Sequence, residues 1–280
     1  MRTRYRIGTT SFIHPCGWLE NVRRLSSRPE IRDVEILVFE PPGEGAGPAP
    51  EEIALLGAVA RASGMTCSVH APLELGLASD DERWRRASVD VVRRTVQLTA
   101  PLAPHSVIVH LNLDARGAPA AADLGAWRDR AERSLREILR CGIAPAQLCL
   151  ETLDYDLALA EPLVDALGLS VALDVGHLAR DGIGLEPVLA RSLGRTRVVH
   201  WHGTDPSGRD HRSLRHYPRA EAVRLLSALA ARGFEGVITL EVFREDDLAE
   251  SLAVLREIEA EALGAGPGTP SALMIAGAHG

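Results

Sequence analysis

At 280 residues, 46% of them hydrophobic, the chain has enough apolar material for one large core, and it fits a single barrel of roughly 250 residues as well as two smaller domains. A formal net charge of -7 argues against a broad electrostatic footprint on polyanions such as nucleic acid, while leaving room for a local basic rim and a phosphate-bearing small molecule. Cys16, Cys67, Cys141 and Cys149 are widely spaced and form no C-x-x-C pair, which suits reduced thiols in a cytoplasmic protein better than a disulfide framework.

The residues after the basic N-terminus are broken by Gly, Thr, His and Pro, unlike the apolar stretch of a signal peptide. No window reaches the ~18 consecutive apolar residues of a membrane helix, so no membrane partner is expected.

Short runs rich in Val, Ile and Leu alternate with longer stretches whose apolar residues recur at three- and four-residue spacing. That alternation is the signature of strand-helix units around a parallel sheet. In chain order the pattern predicts strands over 6–11 and 34–39, a Gly- and Pro-rich loop over 41–50, a helix over 51–63 and a strand over 66–70. A helix over 81–98, a strand over 106–111, a helix over 124–140 and a strand over 147–152 follow. Next come a helix over 157–167, a strand over 170–174, a short helix over 185–192 and a strand over 197–202. A helix over 219–232, a strand over 236–242 and a helix over 246–262 complete the series. Eight strands in this order imply an α/β fold, a (β/α)8 barrel occupying 1–263 as one domain, with a flexible tail rich in Gly, Ala and Pro over 264–280.

In such a barrel the active site forms at the C-terminal ends of the strands, so polar residues that close an apolar run carry the chemistry. The third run closes on His70, the fourth on His110, the fifth on Glu151 and the sixth on Asp174, with His177 three residues later beyond Gly176. The seventh closes on His200-Trp201-His202 and the eighth on Glu241. One histidine at a strand end is more often a satisfied structural residue than a ligand. Six consecutive strand ends bearing His, His, Glu, Asp, His and Glu would crowd buried charges at one mouth, at several kcal/mol each, unless a cation compensates them.

A divalent ion removes that conflict, and this donor set suits zinc or manganese. Glu151, Asp174, His200 and Glu241 are the central ligands, with His70, His110 and His177 around them. Glu151 and Glu241 are also candidate bases for a metal-bound water or hydroxyl, and His200 joins them in the expected catalytic set.

The loop after the seventh strand is polar and basic. In it Asp210 and His211 would complete a further metal position, and Arg209, Arg212 or Arg215 would bind a phosphate through forked donors, the alternative being a solvated loop. Thr10 and Ser11 close the first strand and offer hydroxyls to a substrate, and His202 is grouped with the substrate contacts. Glu40 ends the second strand and reaches either the pocket or the surface.

The series His70, His110, Glu151, Asp174, His177, His200, Asp210/His211, Glu241 resembles the xylose isomerase-like TIM-barrel superfamily and, within it, the endonuclease IV branch. The resemblance implies a shared metal tetrad at Glu151, Asp174, His200 and Glu241. It also implies further ions, two or more per chain, held by the added histidines for phosphodiester hydrolysis. The chain departs from the branch in having Asp210 and His211 adjacent instead of separated by one residue.

Ile7-Gly-Thr-Thr-Ser-Phe-Ile-His-Pro15, Asp33-Val-Glu-Ile-Leu-Val-Phe-Glu40, His200-Trp-His-Gly203 and Gly208-Arg-Asp-His-Arg-Ser-Leu214 look like the cobamide-remodelling phosphodiesterase family CbiR. That resemblance implies a small-molecule cobamide (corrinoid) substrate such as cobalamin or pseudocobalamin, whose nucleotide loop is hydrolysed, and no nucleic acid. Three other readings stay open: a sugar isomerase or epimerase using the tetrad alone, a DNA repair endonuclease, which the net charge disfavours, and a barrel that binds a corrinoid or sugar phosphate without turnover.

Overall fold

The computed structural model describes residues 4–39, 48–113, 123–262 and 264. Eight strands, β1 (Arg6–Thr10), β2 (Asp33–Leu37), β3 (Thr66–His70), β4 (Val107–Val109), β5 (Leu148–Glu151), β6 (Ser170–Asp174), β7 (Thr196–Trp201) and β8 (Val237–Leu240), pair in parallel and in sequence order into a closed barrel. The ring shuts between β8 and β1 through Ile7 opposite Ile238 and Gly8 opposite Thr239. A Cβ on Gly8 would lie 3.0 Å from Val237 and 3.1 Å from Asp33, so glycine allows β1 its close approach to both neighbours.

Helices α1 (Trp18–Leu25), α2 (Pro50–Ala62), α3 (Glu82–Thr99), α4 (Leu124–Leu139), α5 (Glu161–Leu167), α6 (Val175–Arg180), α7 (Leu185–Ser192), α8 (Arg219–Arg232) and α9 (Glu245–Ala262) surround the sheet. Their apolar stripes bury residues such as Leu56, Val92, Leu135 and Leu229 against the outward faces of the strands. A separate, small apolar cluster of Ile108, Cys149, Ala172 and Val198 fills the barrel interior.

Side chains two residues apart share one face of a strand. The next inward residues after that interior layer are therefore His110, Glu151, Asp174 and His200. The same alternation that packs the middle of the barrel aims four polar groups at its mouth.

The expected (β/α)8 barrel is the observed fold, with small local differences. The 157–167 helix divides into a 3-10 turn (Leu157–Leu159) and α5, where Pro162 opens a new helix. Two short helices, of eight and six residues, were not read from the sequence. In α1 only Asn21, Val22 and Leu25 are buried, and α6 spans six residues directly after β6. The predicted strand over 106–111 shortens to β4, which leaves His110 just beyond the ladder.

Most of the expected loop over 41–50, and the tail expected over 264–280 apart from Gly264, lie outside the described residues. Among the described residues no helix is long and apolar enough to cross a membrane. The four cysteines are free, and burial pushes the Cys67 and Cys149 thiols up to about 12.

Candidate metal centre

Glu151, at the end of β5, stands between two groups of donors. Its Oε2 lies 2.8 Å from Nε2 of His70 and 2.8 Å from Nε2 of His110, while its Oε1 lies 3.0 Å from Nδ1 of His200. Glu241 brings Oε2 to 3.6 Å from the same His200 nitrogen. Donor atoms converge within 4.8 Å in three sets: His70, His110 and Glu151; Glu151, Asp174, His200 and Glu241; and His177, His202 and His211.

Local structure builds the join between the second and third sets. Asp174 ends β6 and caps α6, accepting a hydrogen bond from the His177 backbone N–H at 2.8 Å, which places His177 one turn away from it. Gly176 between them is required by packing, since a Cβ there would lie 2.4 Å from His202 Nε2. His211 adopts a left-handed backbone (φ 52°), uncommon for a residue with a Cβ, and its ring lies 4.7 Å from that of Phe243.

Hydrogen-bond accounting shows that, with neutral imidazoles, these groups cannot satisfy one another. His70 Nδ1 lies 2.8 Å from the Ala71 carbonyl, which only accepts, so the ring's proton belongs there and a neutral His70 turns a lone pair toward Glu151. His200 meets a carboxyl oxygen at 3.0 Å from each nitrogen, Glu35 at Nε2 and Glu151 at Nδ1, and a neutral imidazole can donate to one alone.

Glu241 Oε2, Asp174 Oδ2 and His202 Nε2 are buried without hydrogen-bond partners among the described residues. Asp174 Oδ2 is 2.6 Å from His177 Nδ1, yet the pair lacks the alignment of a hydrogen bond. Carboxylate oxygens and imidazole nitrogens converging on shared points fit divalent cations, and these donors suit zinc or manganese.

The charges are redistributed accordingly. Burial opposes ionisation of Glu151, but the His200, His110 and His70 imidazoles outweigh it and hold the carboxyl well below its usual range. Burial pushes the Glu241 carboxyl well above its usual range against the pull of His200, with Asp174, Glu151 and Glu35 adding to the rise. His200 is raised well above its ordinary value because Glu35, Glu241 and Glu151 overcome its burial. His70 is raised through Glu151 against its own burial. His211 moves the other way, to about 4, under burial and the neighbouring His202 and His177 rings.

Other residues named from the sequence fall elsewhere. Asp210 is absent from the three donor sets; Arg180 Nη1 donates to its Oδ2 at 2.7 Å, and that oxygen lies 3.6 Å from His177 Nε2. His202, expected to touch substrate, is instead fully buried behind Asp174 in the third set. Its Nδ1 accepts the His211 backbone N–H at 3.1 Å, which leaves the proton of a neutral ring on Nε2. To ligate through Nε2 the ring must take the other tautomer, with Nδ1 donating to the Gly203 carbonyl at 3.4 Å.

Thr10 and Ser11 are likewise buried, and their hydroxyls serve the backbone: Thr10 donates to the Val242 carbonyl and Ser11 accepts from the Leu37 N–H. Neither side chain is exposed at the mouth. Arg212 is held by Asp247 at 3.2 Å, and Arg209 lies 3.3 Å from Asp205 on the exposed loop, so neither guanidinium points freely at the mouth. Glu40 lies outside the described residues. Sequence reasoning gave no role to Glu35, which the structure sets behind His200; its inward register, two residues after Asp33 and opposite Ser68, was the available signal.

Above the donors lies a cavity of about 180 Å³ walled by Leu37, Phe39, Leu73 and Phe243, among others. Phe39 is exposed and meets the exposed Phe12 edge to face at 5.1 Å, extending the apolar surface outward from the mouth.

Comparison with known proteins agrees with this architecture. The family described as "Xylose isomerase-like TIM barrel" matches residues 30–258. No curated protein sequence matches the chain. A solved D-tagatose 3-epimerase-like protein is similar at 20% identity and TM-score 0.72, over 92% of this chain and 98% of that one. Endonuclease IV from Thermus thermophilus is similar at 21% identity and TM-score 0.70, over 92% and 100%. D-psicose 3-epimerase from Clostridium cellulolyticum follows at 16% and 0.67, over 93% and 96%. At such identities the likeness to solved structures speaks for the fold alone. By its sequence, its closed eight-stranded sheet and the extent of the match, the chain belongs to the xylose isomerase-like TIM barrel family.

Proposed function

We propose that this chain is a cytoplasmic metal-dependent phosphodiesterase that hydrolyses the nucleotide loop of cobamides such as cobalamin and pseudocobalamin, using zinc or manganese ions held side by side. The observation that carries the reading is the shared carboxylate: Glu151 faces His70 and His110 through one oxygen and His200 through the other. A bridging carboxylate between two donor sets suits a pair of cations clamping a phosphodiester. Proton transfer at carbon needs only the tetrad and leaves His70 and His110 without a task.

The sequence motifs that resemble the CbiR family support the choice of substrate. So does the mouth, because Phe12, Phe39, Leu73 and Phe243 suit a substrate with a broad apolar face better than a small polyhydroxylated sugar. The net charge of -7 sets nucleic acid apart from this reading.

When bound, the ions would supply Lewis acidity toward the phosphate oxygens and acidify a water. Glu151, held ionised by three imidazoles, keeps both donor sets in register. Glu241, buried with no hydrogen-bond partner for its Oε2 among the described residues, is placed to take the proton of the attacking water once ionised. His200 turns its Nδ1 toward both carboxyls. The apolar wall limits the entry of bulk water.

Protein loaded with Mn(II) or Zn(II) and incubated with cobalamin or pseudocobalamin is expected to release the lower-ligand fragment, seen by chromatography. Unchanged substrate under all loadings overturns the reading. A sugar isomerase or epimerase remains the second reading, favoured by the complete Glu151, Asp174, His200, Glu241 set. One ion per chain would favour it, and two or more would favour the hydrolase.

A further inference from the structure

Glu35 lies midway along β2, fully buried, and belongs to none of the three donor sets. Its Oε2 is 3.0 Å from His200 Nε2 and 3.5 Å from Thr239 Oγ1, while its Oε1 has no hydrogen-bond partner among the described residues. On the opposite side of the same ring, Nδ1 faces Glu151 at 3.0 Å and Glu241 at 3.6 Å. Glu35 is therefore separated from the tetrad by the thickness of one imidazole.

Two other rings of the site, those of His70 and His211, use main-chain acceptors. His70 Nδ1 faces the Ala71 carbonyl at 2.8 Å, and His211 Nδ1 faces the Glu241 carbonyl at 3.1 Å. Among these rings only His200 has a carboxyl side chain behind it. A carboxylate at the far nitrogen fixes which nitrogen keeps the proton, locks the ring plane and makes the near nitrogen a stronger donor to a cation. With β2 and β7 on different sides of the barrel, this contact also ties the ring to a strand that supplies no ligand of its own.

We propose that Glu35 is a positioning residue for the ion held by Glu151, Asp174, His200 and Glu241: it keeps the His200 proton on Nε2 and presents the Nδ1 lone pair to that ion. Glu35 touches neither ion nor substrate. This role rests on the metal-binding part of the reading above and is independent of which substrate is turned over. It also has a selective consequence, since the ion at His70 and His110 has no contact with Glu35 and keeps its own acceptor at Ala71.

The test uses the full chain as wild type and as Glu35→Gln, which keeps the side chain's size and an oxygen acceptor. Zn(II) affinity is read by chelator competition, and the His200 tautomer by two-dimensional 15N–1H imidazole spectra of the zinc-loaded wild type. Glu35→Gln is expected to weaken one Zn(II) site by roughly 10- to 100-fold while leaving the other within a factor of about three. The spectra of the wild type are expected to show the His200 proton on Nε2.

A proton on Nδ1 in the zinc-loaded wild type overturns the role whatever the variant does, including a variant that does not fold. Equal Zn(II) affinities at all sites in wild type and Glu35→Gln overturn it as well. A wild type that takes up no zinc overturns both this role and the metal reading. Bound zinc with no cobamide turnover overturns the proposed substrate alone.

Discussion

The two ends of the barrel bury ionisable side chains in different company. At the N-terminal ends of the strands, Arg6 donates to Thr66 Oγ1 at 3.1 Å and meets His105 Nδ1 at 3.0 Å, while Arg197 Nε donates to the His105 carbonyl at 2.8 Å. Thr66 in turn donates to Asp33, and the Arg6 guanidinium draws that carboxyl's proton affinity down. The chain thus supplies its own positive charge there, and His105 is pushed down to about 3 by burial and the two guanidiniums.

At the C-terminal ends, Glu35, Glu151, Asp174 and Glu241 crowd together, and among the described residues their ion-pair partners are histidines alone. Burial of charge is common to both ends. What marks the functional end is that these carboxylates have no arginine or lysine partner among the described residues, which is where the proposed cations would bind.

The comparison can be broken most severely at Glu151. Glu151→Gln removes the carboxylate shared by two donor sets, and cobamide turnover is expected to fall by at least about 10³-fold, equivalent to ~4 kcal/mol of transition-state stabilisation. Metal content measured on the same sample is expected to fall with it. Retained activity would mean that the shared carboxylate is structural.

Acid should empty the functional end before it unfolds the rest. His70 and His200 hold protons more tightly than usual without metal, and those protons must leave when an ion binds. Apparent metal affinity is therefore expected to drop about tenfold per pH unit for each proton displaced as pH falls below their raised values. Calorimetry in buffers of different ionisation enthalpy counts those protons, and a count of zero contradicts the site's charge balance.

The opposite end gives a stability signature instead. Burial raises Asp33 to about 7 in the folded protein, against the opposing pull of Thr66, Ser68 and Arg6. Because the folded state then binds its proton more tightly than the unfolded chain, this contribution is complete below an unfolded value of roughly 4 and is lost as pH rises toward 7. Asp33→Asn is expected to flatten that part of the stability curve in denaturant titrations without altering metal content. A change in metal content would show that the two ends are coupled.

The smallest effect is expected at Asp210, which Arg180 already holds. Asp210→Asn should change metal affinity by less than about threefold, whereas His211→Ala should weaken a third ion by ~10-fold or more if one binds. Equal losses in both variants would place Asp210 among the ligands after all.

Much of this was legible in the sequence, because strand periodicity determines both the fold and the direction of the mouth residues. Glu151, Asp174 and His200 stand two residues beyond Cys149, Ala172 and Val198, which line the interior, and Glu241 two beyond the buried Thr239. What escaped was tertiary. The hydroxyls of Thr10 and Ser11 look free in a strand-end motif, yet backbone groups of neighbouring segments claim both. His202, and not Asp210, joins the third donor set, where the pairing of Gly203 with Arg212 folds the loop back and brings the His211 backbone N–H to the His202 ring. Glu35 reads as one acidic residue in an apolar strand, and only closure of the barrel puts it behind His200.

The central claim is that the C-terminal end of the barrel is completed by cations the chain does not supply. Elemental analysis of the purified protein after equilibration with Zn(II) and Mn(II) tests it most directly. Two or more tightly held ions per chain in the wild type, reduced in Glu151→Gln, is the result expected; a wild type holding none contradicts it.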